Sequence, residues 1–191
     1  IEGDGDVAAE LISMEFDHIF FTGGESIGKK VMKSAAKNLT PITLELGGKS
    51  PAIVIDGANL EVTAKRIIWG KNLNAGQTCI APDHLLVEQK LFDSLISNLK
   101  TSIHNFYGNY PLNSEHLGSL INQTQFNRLN NLLHQARKND QIIYGGDSNE
   151  TEKRISPTLI KIESRNDPLM KEELFGPLLP ILCVKNLEEV I

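Results

Sequence analysis

Two side chains in this sequence carry the chemistry of covalent catalysis. Cys79 follows Gly76-Gln77-Thr78, and Glu45 lies inside the apolar run Leu44-Glu45-Leu46, directly before Gly47-Gly48-Lys49. A cysteine attacks as its thiolate, so it needs a depressed pKa or a neighbouring base. Placed after a glycine-containing break in a helix, Cys79 can stand in a cleft; the competing reading is a small core residue. A carboxylate buried in an apolar strand costs several kcal/mol unless it is paired or titrates upward. A pKa raised toward neutrality suits a general base that activates water. A strand-end carboxylate facing solvent is the other reading of Glu45.

Two further segments could hold a ligand. Phe21-Thr22-Gly23-Gly24-Glu25-Ser26-Ile27-Gly28 runs from a strand into a helix. Its glycines admit a ligand close to the backbone, and the helix N-terminus favours an anionic group. The glycines fall at 23, 24 and 28, so this is not a G-x-G-x-x-G fingerprint, and an ordinary turn remains open. Lys171-Glu172-Glu173-Leu174-Phe175-Gly176-Pro177 sets an acidic pair beside an aromatic ring. Such a segment can hold a sugar hydroxyl and pack a planar ring, or it can be a solvated turn. Cys183, within Leu182-Cys183-Val184, reads as a core residue. No metal is expected: Asp4-Gly5-Asp6 lacks the other ligands of a calcium loop, and no histidine pair has zinc-ligand spacing.

These segments need a scaffold, and the hydrophobic pattern supplies one. Short apolar runs at His18–Phe21, Ile42–Leu46, Ala52–Ile55, Leu85–Val87 and Ile142–Tyr144 predict buried strands. Helical spacing joins Leu60, Ala64, Ile67 and Ile68 after an N-cap at Asn59, in a helix that runs on toward Cys79. Phe92, Leu95, Ile96, Leu99, Ile103 and Phe106 mark a second helix, and Phe126, Leu129, Leu132, Leu133 and Ala136 a third. Asn186 to Ile191 reads as a further helix start. Alternating strands and helices predict an α/β fold with a largely parallel sheet covered on both faces. Gly47-Gly48-Lys49-Ser50-Pro51 is the best candidate for a domain junction.

Composition narrows the function classes. The 191 residues are 40 % hydrophobic and 23 % charged, within the ordinary globular range. A net charge of −5 and the lack of a basic stripe argue against nucleic-acid binding. The longest apolar stretch, Leu178 to Val184, is too short to cross a bilayer and contains Pro180. Two cysteines are too few for a disulfide framework and point to a reducing compartment. The chain opens on Ile1 without a signal-like segment, and both ends read as cut, so an internal fragment of a longer protein is expected.

Taken together, the four segments resemble one family. The sequence is similar to the aldehyde dehydrogenase superfamily, and most to its class 3 branch, from Phe16-Asp17-His18-Ile19 through Leu187-Glu188-Glu189. The stretches Thr40 to Pro51 and Gly76 to Asp83 are very specific to it, as is the separation of Glu45 from Cys79. The resemblance implies the C-terminal part of a Rossmann-type nucleotide domain over residues 1–49. It further implies most of a three-layer αβα catalytic domain over residues 50–191. Cys79 would be the nucleophile and Glu45 the base. Gly23, Gly24, Glu25, Ser26, Ile27, Gly28 and Leu46 would line the NAD or NADP site. Glu173 would hold the nicotinamide ribose and Phe175 would pack near the ring.

The implied reaction oxidises an aromatic or medium-to-long aliphatic aldehyde to its acid, through a hemithioacetal and a thioester on Cys79 that Glu45 helps to hydrolyse. The CoA-acylating branch generally lacks a base at the Glu45 position, which favours hydrolysis. A homodimer without nucleic-acid partners, in the cytoplasm, is the family expectation; some class 3 relatives add a C-terminal membrane anchor. Two departures stand out. Gly24 replaces the usual Ser or Thr, and the family's Pro-Trp-Asn motif, an oxyanion donor, is not among these residues. Loss of one such donor costs about 10²–10³-fold in rate, so these residues alone are expected to be nearly inactive. A truncated, non-catalytic domain or binding module of the same fold is the alternative.

Overall fold

A computed structural model describes residues 1–190, which form two compact units, Ile1–Gly47 and Gly48 onward. Gly48 and Lys49 belong to the second unit, where the Lys49 ammonium bonds the carbonyls of Leu169 and Glu172.

In the first unit, β1 (Ile19–Gly23) and β2 (Ile42–Leu46) run parallel, with Ile19 opposite Ile42 and Gly23 opposite Leu46. The connection carries α2 (Glu25–Ala35), whose Val31 and Ala35 bury against Ile19, with Phe21, Ile42 and Leu44 around them. A short helix not expected from the sequence, α1 (Gly5–Leu11), precedes them. Asp4 caps it, accepting the N–H groups of Asp6 and Val7 at 3.0 and 3.2 Å, which accounts for the Asp4-Gly5-Asp6 pattern without a cation.

The second unit is built on a five-stranded sheet. It contains β3 (Pro51–Val54), β4 (His84–Glu88), β5 (Ile142–Tyr144), β8 (Thr158–Ile162) and β9 (Leu178–Val184). Their order is β3-β4-β9-β8-β5, parallel except where β5 pairs antiparallel with β8. A two-stranded ribbon of β6 (Ser148–Asn149) and β7 (Arg154–Ile155) lies apart from it.

Three helices cover this sheet: α3 (Leu60–Asn72), α4 (Phe92–Tyr107) and α5 (Gln123–Lys138). Alternation along the strands shows which face each one covers. Leu179 and Ile181 of β9, with Leu159 of β8, join a cluster with Ala64, Ile67 and Ile68 of α3 and Leu95, Leu99 and Ile103 of α4. Leu178 and Ile160 point the other way, into a cluster with Phe126, Leu129 and Leu133 of α5. Because side chains alternate with period two, this is a three-layer αβα arrangement. The fold is α/β, as expected.

The elements depart from the sequence reading at instructive places. Leu178–Val184 is a central strand although it contains Pro180, which lies opposite Ile160. The missing N–H removes one ladder bond, while both faces of the strand bury apolar side chains. The helix beginning at Leu60, capped by Asn59 as expected, stops at Asn72 well short of Cys79. Near the C-terminus a single 3-10 turn, Leu187–Glu189, stands where a helix start was read; Ile191 lies outside the described residues.

Candidate active site

The segment leading to Cys79 is an unusual piece of backbone. After α3 ends, Asn74 (φ 53°), Ala75 (φ 55°) and Gly76 (φ 78°) are all left-handed. Non-glycine residues held there cost on the order of 1–3 kcal/mol each, and such strain persists only when neighbours over-determine it. Gln77 supplies that constraint. Its amide nitrogen donates to Asn74 O at 3.0 Å and Ser119 O at 3.1 Å, and its amide oxygen accepts the Ile121 N–H at 2.8 Å. Asn74 Nδ2 returns a bond to Gln77 O at 3.2 Å. Cys79 follows on a turn and is exposed, next to Ile80, which is 82 % exposed. Of the two readings of Cys79 in the sequence, the structure shows the accessible one and not the small core residue.

The same turn touches the Glu173 segment. A Cβ added at Gly76 would collide with the Gly176 carbonyl and lie 2.9 Å from the Lys71 carbonyl. The segment from Lys171 to Gly176 belongs to no helix or strand, so its backbone polar groups need other partners. Charged side chains provide them. Lys49 Nζ donates to Glu172 O at 3.1 Å, Arg128 donates to Glu173 O at 3.3 Å and to Leu174 O at 2.5 Å, and Asp83 Oδ1 accepts the Leu174 N–H at 2.8 Å. Phe175 sits at φ 49°, half-buried. Burial pushes the Glu173 carboxyl above its usual range, against a backbone bond from Gly48 that pulls it down.

Beneath this segment lies a buried charged cluster. Asp83 is ion-paired with Lys49, and Lys71 is 2 % exposed. Burial lowers the Lys71 ammonium to about 8; Asp83 and Glu173 act to raise it and Lys49 to lower it further. His84 is held below its usual value by burial and by Lys49.

The remaining candidates lie in the first unit, at the carboxyl ends of β1 and β2. Gly23 closes β1, and Gly24 is the N-cap of α2, with no side-chain cap and open space around its Cα. Ser26 and Ile27 are exposed, and Glu25 pairs with Lys29. Gly28 is buried, with Leu46 Cδ2 2.8 Å from where a Cβ would stand. Glu45 sits opposite Thr22, beside Leu46. Its side chain is exposed rather than buried, because the alternation along β2 turns it away from the Ile42 and Leu44 side that packs on α2. Of the two readings of Glu45 in the sequence, the structure shows the solvent-facing strand-end carboxylate and not the buried one.

The structure thus groups the candidates in two sets: Cys79, Glu173 and Phe175 in the second unit, and Gly23 to Gly28, Glu45 and Leu46 in the first. Sequence reasoning missed Asp83, Lys49, Lys71 and Arg128. Asp83 and Lys49 lie within the quoted motifs, so charges in otherwise apolar stretches were the available signal. Arg128 lies beside the apolar face of α5 formed by Phe126, Leu129, Leu133 and Ala136, where a charged residue is ordinary, and gave none. Among the described residues, no group of three or more His, Cys, Asp or Glu is placed to hold a metal.

Comparison with known proteins points to one family. The family profile described as “Aldehyde dehydrogenase family” matches residues 1–191. The 4,4'-diaponeurosporen-aldehyde dehydrogenase of Staphylococcus aureus is 45 % identical over 191 residues, covering 100 % of this chain and 41 % of the relative. Mouse aldehyde dehydrogenase family 3 member B2 is 45 % identical over 189 residues, covering 99 % of this chain and 39 % of the relative. A substrate-bound structure of Staphylococcus aureus AldH superposes with a TM-score of 0.94 at 44 % identity, over 100 % of this chain and 41 % of that one. The chain spans about two fifths of the length of these curated relatives.

Proposed function

The chain belongs to the aldehyde dehydrogenase family, and on that premise we propose that it carries the catalytic cysteine and part of the cofactor site of an NAD(P)-dependent enzyme oxidising aldehydes to carboxylic acids. The observation that carries this reading is the placement of Cys79. It stands exposed just beyond a strained turn that Gln77 locks, and that strained turn packs at Gly76 on the backbone of the Glu173 segment.

The chain's own groups fit the chemistry. The Cys79 sulfur adds to the aldehyde carbonyl, forming a C–S bond and an alkoxide. An oxidised nicotinamide, when bound, would supply the two-electron acceptor for the hydride leaving the sulfur-bound carbon, so that Cys79 is left carrying a thioester. Glu45 takes a proton from water as the water oxygen attacks the thioester carbon. The C–S bond then breaks, releasing the acid and returning the Cys79 thiolate. The role of Glu45 rests on the resemblance and on its place at the end of β2.

The residues also suit a dinucleotide. An uncapped, open N-terminus at Gly24 presents the first N–H groups of α2 to an anion, as phosphate binding requires. Gly28 lets α2 approach Leu46 closely. Glu173, half-buried and carrying acceptor oxygens, suits a ribose hydroxyl, and Phe175 a planar ring. In this reading residues 1–49 are the end of the nucleotide domain and 50–191 belong to the catalytic domain. Aromatic or medium-to-long aliphatic aldehydes as substrates and a homodimeric enzyme follow from the resemblance alone. Two free cysteines suit the cytoplasm, and among the described residues no helix is long and apolar enough to cross a membrane.

The test is NADH or NADPH formation by the full-length protein from benzaldehyde and a medium-chain aldehyde. Turnover that disappears in Cys79→Ala supports the proposal. A folded, cofactor-binding protein that turns over none of a range of aldehydes would favour a binding module of the same fold.

A further inference from the structure

Arg128 lies on α5, whose buried positions Phe126, Leu129, Leu133 and Ala136 otherwise form an apolar seam against the sheet. Its guanidinium is fixed at one end by Gln125, whose Oε1 accepts from Nε at 2.9 Å. At the other end it donates to two consecutive carbonyls, Glu173 O at 3.3 Å and Leu174 O at 2.5 Å. From another side Asp83 accepts the Leu174 N–H at 2.8 Å, and Lys49 holds Glu172 O at 3.1 Å. The polar backbone atoms on either side of the Glu173 side chain are therefore held by three charged groups drawn from three parts of the chain.

Stability alone does not explain this choice. The two carbonyls need donors, but a partly buried guanidinium is desolvated at a cost that neutral donors avoid. What a rigid guanidinium adds is geometry, because its fork fixes two carbonyls at once. Groups that must meet a ligand are held to within a fraction of an ångström by partners of this kind.

We propose that Arg128 is a positioning residue for the cofactor site, fixing the backbone of Glu173 and Leu174 so that the Glu173 carboxylate is set for a ribose hydroxyl. The proposal rests on the role given to Glu173 above. All the hydrogen bonds of the Arg128 guanidinium here go to Gln125 and to the backbone of Glu173 and Leu174, so in this proposal it acts through Glu173.

The experiment measures NADH and NADPH affinity by fluorescence titration of the full-length protein, without turnover, in Arg128→Lys, Glu173→Gln and the double variant. Arg128→Lys keeps the charge and folds more safely than an alanine, but cannot fork across both carbonyls. It should weaken binding about tenfold, the scale of lost bonds to a charged donor. Because the arginine acts through Glu173, the double variant should bind no worse than Glu173→Gln alone, whereas a general scaffold role would give additive losses. Labelling of Cys79 by a thiol reagent, without cofactor, should be unchanged in Arg128→Lys. Wild-type affinity in Arg128→Lys overturns the proposal while leaving the Glu173 reading intact, as do additive losses in the double variant or a parallel loss of Cys79 labelling. Wild-type affinity in Glu173→Gln overturns the Glu173 reading, and the proposal with it.

Discussion

Asp83 Oδ1 accepts the backbone N–H of Leu174 at 2.8 Å, while the N–H of Asp83 itself donates to Ser50 O at 2.8 Å. One buried aspartate therefore joins the start of β3, the chain just beyond Cys79 and the Glu173 segment. Its other oxygen faces the Lys49 ammonium, whose remaining donors reach Leu169 and Glu172. The order of the candidate site in the second unit depends on this cluster as much as on the apolar core beneath it.

Asp83→Asn keeps an acceptor for the Leu174 N–H but removes the charge facing Lys49. Breaking a buried pair by removing one partner costs about 3 kcal/mol or more, and Lys49 keeps enough contact with water to hold the loss at the low end. Denaturant unfolding of the full-length protein should show that loss. A stability equal to wild type would mean that the pair contributes little.

Lys71 makes stability depend on pH. Burial holds its ammonium near about 8, whereas the unfolded chain keeps that proton up to the ordinary 10.5. Between those values the unfolded state binds more protons, so this residue's contribution to stability rises with pH through the window and is flat below it. Lys71→Met removes the rise. The stability of wild type relative to Lys71→Met should therefore climb from about pH 8 toward 10.5; a difference that stays constant across that range contradicts the assignment.

Gly76 and Gly57 both have positive φ, at 78° and 84°, but a Cβ at Gly57 meets open space while one at Gly76 strikes Gly176 and Lys71 backbone. Gly57→Ala should lose only left-handed strain, about 1 kcal/mol. Gly76→Ala should lose several times that amount, because backbone on both sides must move, and it should also change the rate at which Cys79 is alkylated. Equal melting temperatures for the two variants would show that the Gly76–Gly176 approach is not tight.

The two cysteines should separate under a thiol reagent. Cys79 is exposed, whereas Cys183 is half-buried among Leu179, Ile181 and their neighbours, and burial raises its pKa. The exposure of Cys79 and the raised pKa of Cys183 both point the same way, so peptide mapping after brief iodoacetamide treatment should find Cys79 modified first. Equal modification of both would weigh against Cys79 as a nucleophile.

The scaffold was largely legible where periodicity is strong. Helices α4 and α5 lie where their apolar spacing predicted, and Asn59 caps α3 as its residue type suggests. β9 escaped because Pro180 argues against a central strand, and only burial on both faces outweighs the lost bond. A glycine-containing break before Cys79 was legible, but not that it begins at Asn72, because Asn74 and Ala75 adopt left-handed backbone that their types do not announce; Gln77 ties this turn to Ser119 and Ile121 farther along the chain. Cys79 stood open between a cleft and the core, because the residue type alone does not decide between them. For Glu45 both a buried and a solvent-facing reading stood, since an apolar strand sequence does not say which side of it meets water. Arg128 could not be found at all, because its partners are carbonyls far along the chain.

The central claim is that aldehyde carbon becomes covalently attached to Cys79. The most direct measurement is peptide mass spectrometry on full-length Glu45→Gln protein, quenched with acid after mixing with aldehyde and oxidised cofactor. Loss of the base should slow thioester hydrolysis, so an acyl group matching the aldehyde should accumulate on the peptide carrying Cys79. It should be absent in Cys79→Ala. An acyl group on another residue, or unimpaired turnover in Cys79→Ala, would contradict the account.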